Sequence, residues 1–296
     1  MSTLAAALLS FPLHAQQEEP ADSTGLPGDN FSLEAALELF KKAKSPEEFE
    51  KLLNIEDNAV NNLDLNEDGK TDYVRVIDRM EGDVHAIVLQ VPVSANESQD
   101  IAVIEIEKTG AENAMLQIVG DEDIYGEQVI AEPFDEETQP NEGRNGPSPT
   151  LAPIRIVVNV WGWPAVRFMY RPAYVVYVSP WRWGAYPGWY RPFRPHPWRV
   201  FHVRARPYRA HYHVVPMHRA VVAHRVYAPH RSHSTVVHTR TVTHINTHGK
   251  RGNVHATKTT KTTTVKGKNG RSVTKKETKT KVKGNGKGNG RGRGRN

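Results

Sequence analysis

The sequence predicts an α+β fold: two N-terminal helices packed on an antiparallel sheet, followed by a basic, largely disordered low-complexity C-terminal region. Three observations carry the prediction. Apolar residues recur at helical spacing behind two serines between residues 32 and 53. The apolar period then falls to two through successive segments parted by turn signals between residues 73 and 131. The charge, finally, reverses along the chain. Residues 1–142 hold 32 of the 33 acidic side chains, so residues 1–150, with 9 Lys and Arg, carry −23, and residues 151–296, with the other 30, carry +29. The net +6 therefore conceals an acidic domain joined to a basic arm, an arrangement suited to polyanions.

A chain of 296 residues that is 38% hydrophobic, with a mean hydropathy of −0.59, has material for one modest core and a long tail. It contains no cysteine, which excludes a disulfide scaffold, a thiol nucleophile, a Cys-ligated zinc finger, an iron–sulfur centre and an acylated lipoprotein cysteine. At the N-terminus, Leu4 to Leu13 is an apolar run of signal length, and Ala15 supplies a small residue before Gln16. No Lys or Arg precedes the run. Residues 1–15 are read as a signal peptide, the alternative being a plain apolar terminus, and residues 16–29 as a linker. Export places the mature chain in the periplasm, at the outer envelope or outside the cell. No segment reaches the ~20 uninterrupted apolar residues of a membrane span. The nearest approach, Ile154 to Val178, is broken by Arg155, Pro164, Arg167, Arg171 and Pro172.

Residues 30–133 read as the acidic α+β domain. Ser32 caps a helix whose apolar face is Leu33, Ala36, Leu37 and Phe40, with Lys41, Lys42 and Lys44 at its C-terminal end, where cations suit the helix dipole. Ser45-Pro46-Glu47-Glu48 opens a second helix with a capping box and a proline at its first position, and Phe49, Leu52 and Leu53 form its apolar stripe. Strands are expected over Tyr73–Arg79, Val84–Val91, Ile101–Glu107 and Ala114–Val119, with a weaker one near Gln128–Ala131. The turns are Glu81-Gly82-Asp83 and Thr109-Gly110-Ala111.

The sharpest local motif is Asp64-Leu-Asn66-Glu-Asp68-Gly69-Lys70-Thr-Asp72-Tyr73. Oxygen-bearing side chains at loop positions 1, 3, 5 and 9, with glycine at 6, suit a hard cation such as calcium: Asp64, Asn66, Asp68 and Asp72 through their side chains, Lys70 through its carbonyl. These ten residues resemble the calcium loops of dockerins and FG-GAP repeats. Arg75 stands where an EF-hand has its bidentate glutamate, and a strand rather than a helix is expected next, which favours the FG-GAP type and implies fewer ligands. An Asx-rich turn using the same side chains on its own backbone is the alternative. The succession of helices, loop and strands also resembles a group of uncharacterised exported bacterial proteins, a resemblance that implies export and no activity.

Residues 134–153 read as a Pro/Gly-rich linker. Residues 154–201 form a Trp/Arg/Pro-rich segment that holds all six tryptophans, and Tyr170-Arg171-Pro172 recurs as Tyr190-Arg191-Pro192. Such a segment is either a sticky surface for anionic sugars, envelope phosphates or nucleic acid, or a packing unit whose aromatics bury themselves on the acidic domain. Its Trp, Tyr and Arg also suit contact with an envelope surface.

Residues 202–255 are a His/Arg-rich tract, and 12 of the 14 histidines lie in residues 196–255. Pairs such as His211/His213, His213/His218 and His244/His248 suit zinc, copper or nickel, but the tract has no Asp, Glu or Cys of its own with which to complete a catalytic site. A solvated tract without metal is the alternative. Residues 256–296 are Lys/Thr-rich, then Gly/Lys/Arg-rich, and are expected to be disordered apart from a marginal hairpin at Asn269-Gly270. Such a tail binds anionic polymers without reading sequence, or merely solubilises the chain. The acidic domain of the same chain competes for it. No phosphate-cradling glycine loop, serine elbow or metalloprotease helix is present, no carboxylate pair stands out, and His85 on a strand reads as a packed residue. The expectation is a non-catalytic binding protein without a specific small-molecule substrate, or a structural or metal-handling envelope protein.

Overall fold

The computed structural model describes residues 23–137, 154–248, 255–266 and 272–283. The expected signal peptide, half of the first expected linker and most of the second, the Asn269-Gly270 turn and the Gly/Lys/Arg-rich end lie outside the described residues. After a turn of 3-10 helix at Pro27–Asn30, helix α1 spans Leu33–Lys42 and α2 spans Pro46–Leu53. Both start as their serines dictate. The Ser32 hydroxyl accepts from Ala35 N–H and the Ser45 hydroxyl from Glu48 N–H, each satisfying an orphan donor of the first turn. Glu48 reaches back to the N–H of Lys44, one residue ahead of its expected capping-box partner.

The sheet follows as β1 (Arg75–Glu81), β2 (Val84–Pro92), β3 (Ser98–Gly110), β4 (Asn113–Gly120), the short helix α3 (Glu122–Tyr125) and β5 (Val129–Glu137). The strands pair antiparallel in chain order, and β6 (Ile154–Val157) pairs with the C-terminal half of β5. Further on come α4 (Pro164–Met169), α5 (Trp198–Ala205), β7 (Tyr212–Val215), α6 (Val221–Tyr227) and α7 (Thr235–His248). Strand β7 pairs with Ile130–Pro133 of β5, making seven strands in this sheet among the described residues. The Lys/Thr stretch pairs as a separate hairpin, β8 (His255–Lys266) with β9 (Ser272–Lys283).

The α+β class stands as expected, with all five anticipated strands present. Its extent differs. Strand β5 runs through Glu137, into the expected linker, and residues 198–248 contribute three helices and a strand where a low-complexity tract was expected. The reason lies in the two faces of the sheet. On the inner face Val76, Ile87, Leu89, Ile104, Ile106, Leu116 and Ile118 meet Leu37, Phe40, Phe49 and Leu53 of α1 and α2 in one cluster, joined by Trp163, Ala165, Val166 and Met169 of the aromatic segment. On the outer face the register aligns Ile77, Val88, Val103, Val119, Ile130 and Val215 in one apolar stripe across six strands. A polar row flanks that stripe on each side, and Tyr227 of α6 packs into it.

Candidate functional site

One polar row runs Arg79, Ala86, Glu105, Gln117, Glu132, His213 across β1, β2, β3, β4, β5 and β7. Glu105 is fully buried, Gln117 and Glu132 nearly so. Buried polar groups need partners, and the segment entering α6 supplies them. The Gln117 amide donates to Glu132 and to the Met217 carbonyl and accepts from the Arg219 and Ala220 N–H groups. Glu132 receives the Arg219 guanidinium. Glu105 receives two imidazoles, Nε2 of His218 and Nδ1 of His224, the latter at 2.8 Å. The two rings stand edge to face, 4.7 Å between centroids. Ligand atoms of Glu105, His218 and His224 all lie within 4.8 Å of one another, the one such group of His, Asp and Glu among the described residues and one that could hold a metal ion. The hydrogen bond to the Glu105 carboxylate raises the His224 pKa against the desolvation that lowers it.

The second row is Arg75, Gln90 and Asp100. Buried Asp100 accepts from Gln90, from the Tyr227 hydroxyl and from Ser232 N–H, and its burial pushes the carboxyl up to about 6 despite those bonds. Beyond it, Arg231 grips Asp121 and Asp123, His238 faces Asp123 at 2.6 Å, and Ser234 closes on Glu97 and Gln99. The basic segment between 196 and 240 is thus spent largely on the acidic domain: His196 on Glu56, Arg204 on Asp57 and Arg240 on Glu67 extend the same pattern.

The aromatic segment is bound in the same manner. Tyr170 and Tyr190, the two tyrosines of the repeated triplet, donate to the carbonyls of Asp83 and Thr71. Tyr174 donates to Asp78, Tyr208 to Asn58 and Tyr212 to Glu38. Residues 177–179 lie along the free edge of β1, with Asp78 N–H donating to Tyr177 and Ser179 N–H to Val76, so an edge that could template aggregation is paired. Of the two readings of this segment, burial describes Trp163; Trp183 and Trp189 remain exposed, the latter beneath the Lys51 ammonium.

The Asp-rich loop behaves differently. Asp64 accepts from the N–H groups of Asp68 and Gly69, Asn66 from Asp68, and Asp68 from Lys70. Glu67 and Gly69 both adopt left-handed backbone, the turn that brings these side chains together. Asp72 turns inward instead: it accepts from Leu65 N–H, and burial, reinforced by the charges of Asp64 and Asp68, lifts its pKa to about 7. The loop therefore draws Asp64, Asn66 and Asp68 together through backbone N–H groups, with buried Asp72 near enough to feel the charges of Asp64 and Asp68. Lys70 contributes its N–H, with its side chain exposed.

Two further groups complete the inventory. His85, fully buried on the inner face, shares Asp78 with Tyr174, and packs edge-on against Tyr170. A cleft of about 340 Å³ lies between the N-terminal turn, the Asp-rich loop and α7, bordered by Asp29, Asp64, Glu67, Trp198, Arg240 and His244. It lies apart from the His–Glu group. Among the described residues no helix is long and apolar enough to cross a membrane. Fold and site together define a class: an acidic antiparallel sheet domain strapped by its own basic C-terminal segment. Comparison with family models, with curated proteins and with solved structures finds no match to this chain.

Proposed function

We propose that the chain is an exported, non-catalytic binding protein whose strapped acidic domain carries a basic terminal arm, residues 249–296, that holds anionic polymers: nucleic acid, anionic glycans or envelope phosphates. The observation that supports this is the division of charge within the basic half. His196, Arg204, His218, Arg219, His224, Arg231, His238 and Arg240 face carboxylates of the same chain, whereas residues 249–296 contain 16 Lys and Arg against a single acid, Glu277. Arms of that composition bind by counterion release, so log affinity for duplex DNA should fall against log salt with a slope of about −0.9 per phosphate neutralised. Heparin and DNA binding across salt concentrations is the test, with the full chain beside one ending at His248. Retained affinity in the shortened chain, or affinity indifferent to salt, moves the activity to the exposed Trp183 and Trp189.

The second reading is a metal-handling envelope protein, with zinc, copper or nickel on the His-rich tract, and the observation favouring it is the Glu105, His218 and His224 group. Calcium on Asp64, Asn66, Asp68, Asp72 and the Lys70 carbonyl belongs to the first reading as a stabiliser of the acidic domain. A ligand bound only by the folded state raises its melting temperature by mass action. Calcium should therefore raise the melt of the wild type and leave an Asp64→Ala/Asp68→Ala variant unmoved; an unshifted wild-type melt makes the loop a turn and nothing more.

A further inference from the structure

We infer that Glu105, His218 and His224 form a site for one divalent transition-metal ion of the zinc class, which clips the basic strap to the acidic sheet. The inference is independent of the polyanion arm. The buried carboxylates of the outer face differ in what neutralises them. Glu132 has the Arg219 guanidinium and Asp121 and Asp123 share Arg231, while Asp100 is met by neutral donors. Glu105 is fully buried, and its side-chain partners are two imidazoles, each presenting one nitrogen to a different carboxylate oxygen. Two imidazole nitrogens and a carboxylate oxygen within 4.8 Å of one another make up the His₂Glu donor set of mononuclear zinc sites, whose Zn–N and Zn–O distances are near 2.0–2.2 Å.

The surroundings hold both histidines in place from the sheet. Gln117, the register partner of Glu105 on β4, fixes Met217 and Arg219 on either side of His218. Glu107, two residues along β3, accepts from Val222 and Ala223 N–H at the start of α6 and so places His224. Outer-shell contacts of this kind orient ligands before metal arrives. The outward sides are open: the His218 and His224 side chains keep 22% and 29% of their surface, so solvent reaches both imidazoles and can supply a fourth ligand. The absence of thiol ligands fits the borderline ions that take imidazole and carboxylate together.

The test uses the full chain, stripped of metal by chelator and titrated with Zn²⁺, and with Co²⁺ as a spectroscopic probe. The wild type should bind one equivalent at this site, show the visible bands of low-coordinate Co²⁺, and gain about 5–10 °C in melting temperature at zinc concentrations near 100 times Kd. Glu105→Gln, nearly isosteric, and His224→Asn, on the solvent side, should each weaken that equivalent by at least about 100-fold while keeping the wild-type circular dichroism. His244→Asn/His248→Asn, which removes the stacked histidine pair of α7, should leave it intact. One undiminished equivalent in folded Glu105→Gln or His224→Asn overturns the assignment. So does a wild type that takes up no zinc, or whose melt zinc leaves unchanged.

Discussion

The two faces of the sheet are closed by opposite means. The inner face is covered by sequence-near helices through apolar contact: α1 and α2 precede the strands directly, and Leu37, Phe40, Phe49 and Leu53 are fully buried. The outer face is covered by residues that lie about 100 positions downstream and bind through buried acids, amides, imidazoles and guanidinium groups, with one narrow apolar stripe between. Apolar burial is non-directional and tolerates repacking, whereas a buried carboxylate accepts only a partner at hydrogen-bond distance. The first face therefore supplies stability, and the second fixes one arrangement of the strap.

Variants can separate these contributions. The largest effect is expected from Phe40→Ala, which removes a fully buried ring stacked edge-on against Phe49 and should cost about 3–5 kcal/mol in urea unfolding, lost by the fold as a whole. Arg231→Met leaves Asp121 and Asp123 buried without their guanidinium, at about 3 kcal/mol, and should expose residues 216–248 to protease before the inner face opens. Equal losses in a single shared transition would show that the two faces are one energetic unit.

The smallest effect is a matter of pH. Asp100 is fully buried, and its folded pKa of about 6 lies above the ordinary 3.8, so between those values the folded chain holds a proton that the unfolded chain has released. Its contribution is thus present below pH 4 and lost as pH rises to 6, on the order of 2–3 kcal/mol. The groups that face it are Tyr227, Ser232 and Gln90, with the charges of Arg75 and Asp121 nearby. Denaturant midpoints of the wild type and Asp100→Asn, compared from pH 4 to 7, should diverge with the variant gaining on the wild type. Parallel curves would remove Asp100 from the pH response.

How legible each face was in the sequence follows from the same contrast. Helical spacing behind Ser32 and Ser45 and the alternation from Tyr73 onward located the helices and strands of the inner face, since both signals are local. In Ile104-Glu105-Ile106-Glu107 the same alternation assigns the glutamates to solvent, yet Glu105 is fully buried. Nothing within the strand announces His218 or His224, 113 and 119 residues away. The spacings His213/His218 and His244/His248 drew attention, but the pair that converges is His218/His224, because its third partner comes from the sheet. The His-rich tract holds no acid of its own, and the carboxylate beside its two imidazoles comes from the sheet. What the sequence did carry was the charge reversal, and with it the acidic domain as competitor for its own arm. The Asp-rich loop stands out by spacing alone, and there Asp64, Asn66 and Asp68 accept from N–H groups of the loop while Asp72 accepts from Leu65 N–H.

The order of the strap has a consequence for synthesis. A ribosome adds about 5–20 residues per second, so about 6–23 s pass between the emergence of Glu105 and that of His218. A sheet that formed in that interval would present its outer face to water. Were that face uniformly aliphatic, each new chain would offer its neighbours an adhesive plane. Two rows of acids and amides on either side of a single aliphatic line keep it hydrated while it waits. The polar groups that later specify the strap serve first as its chaperone.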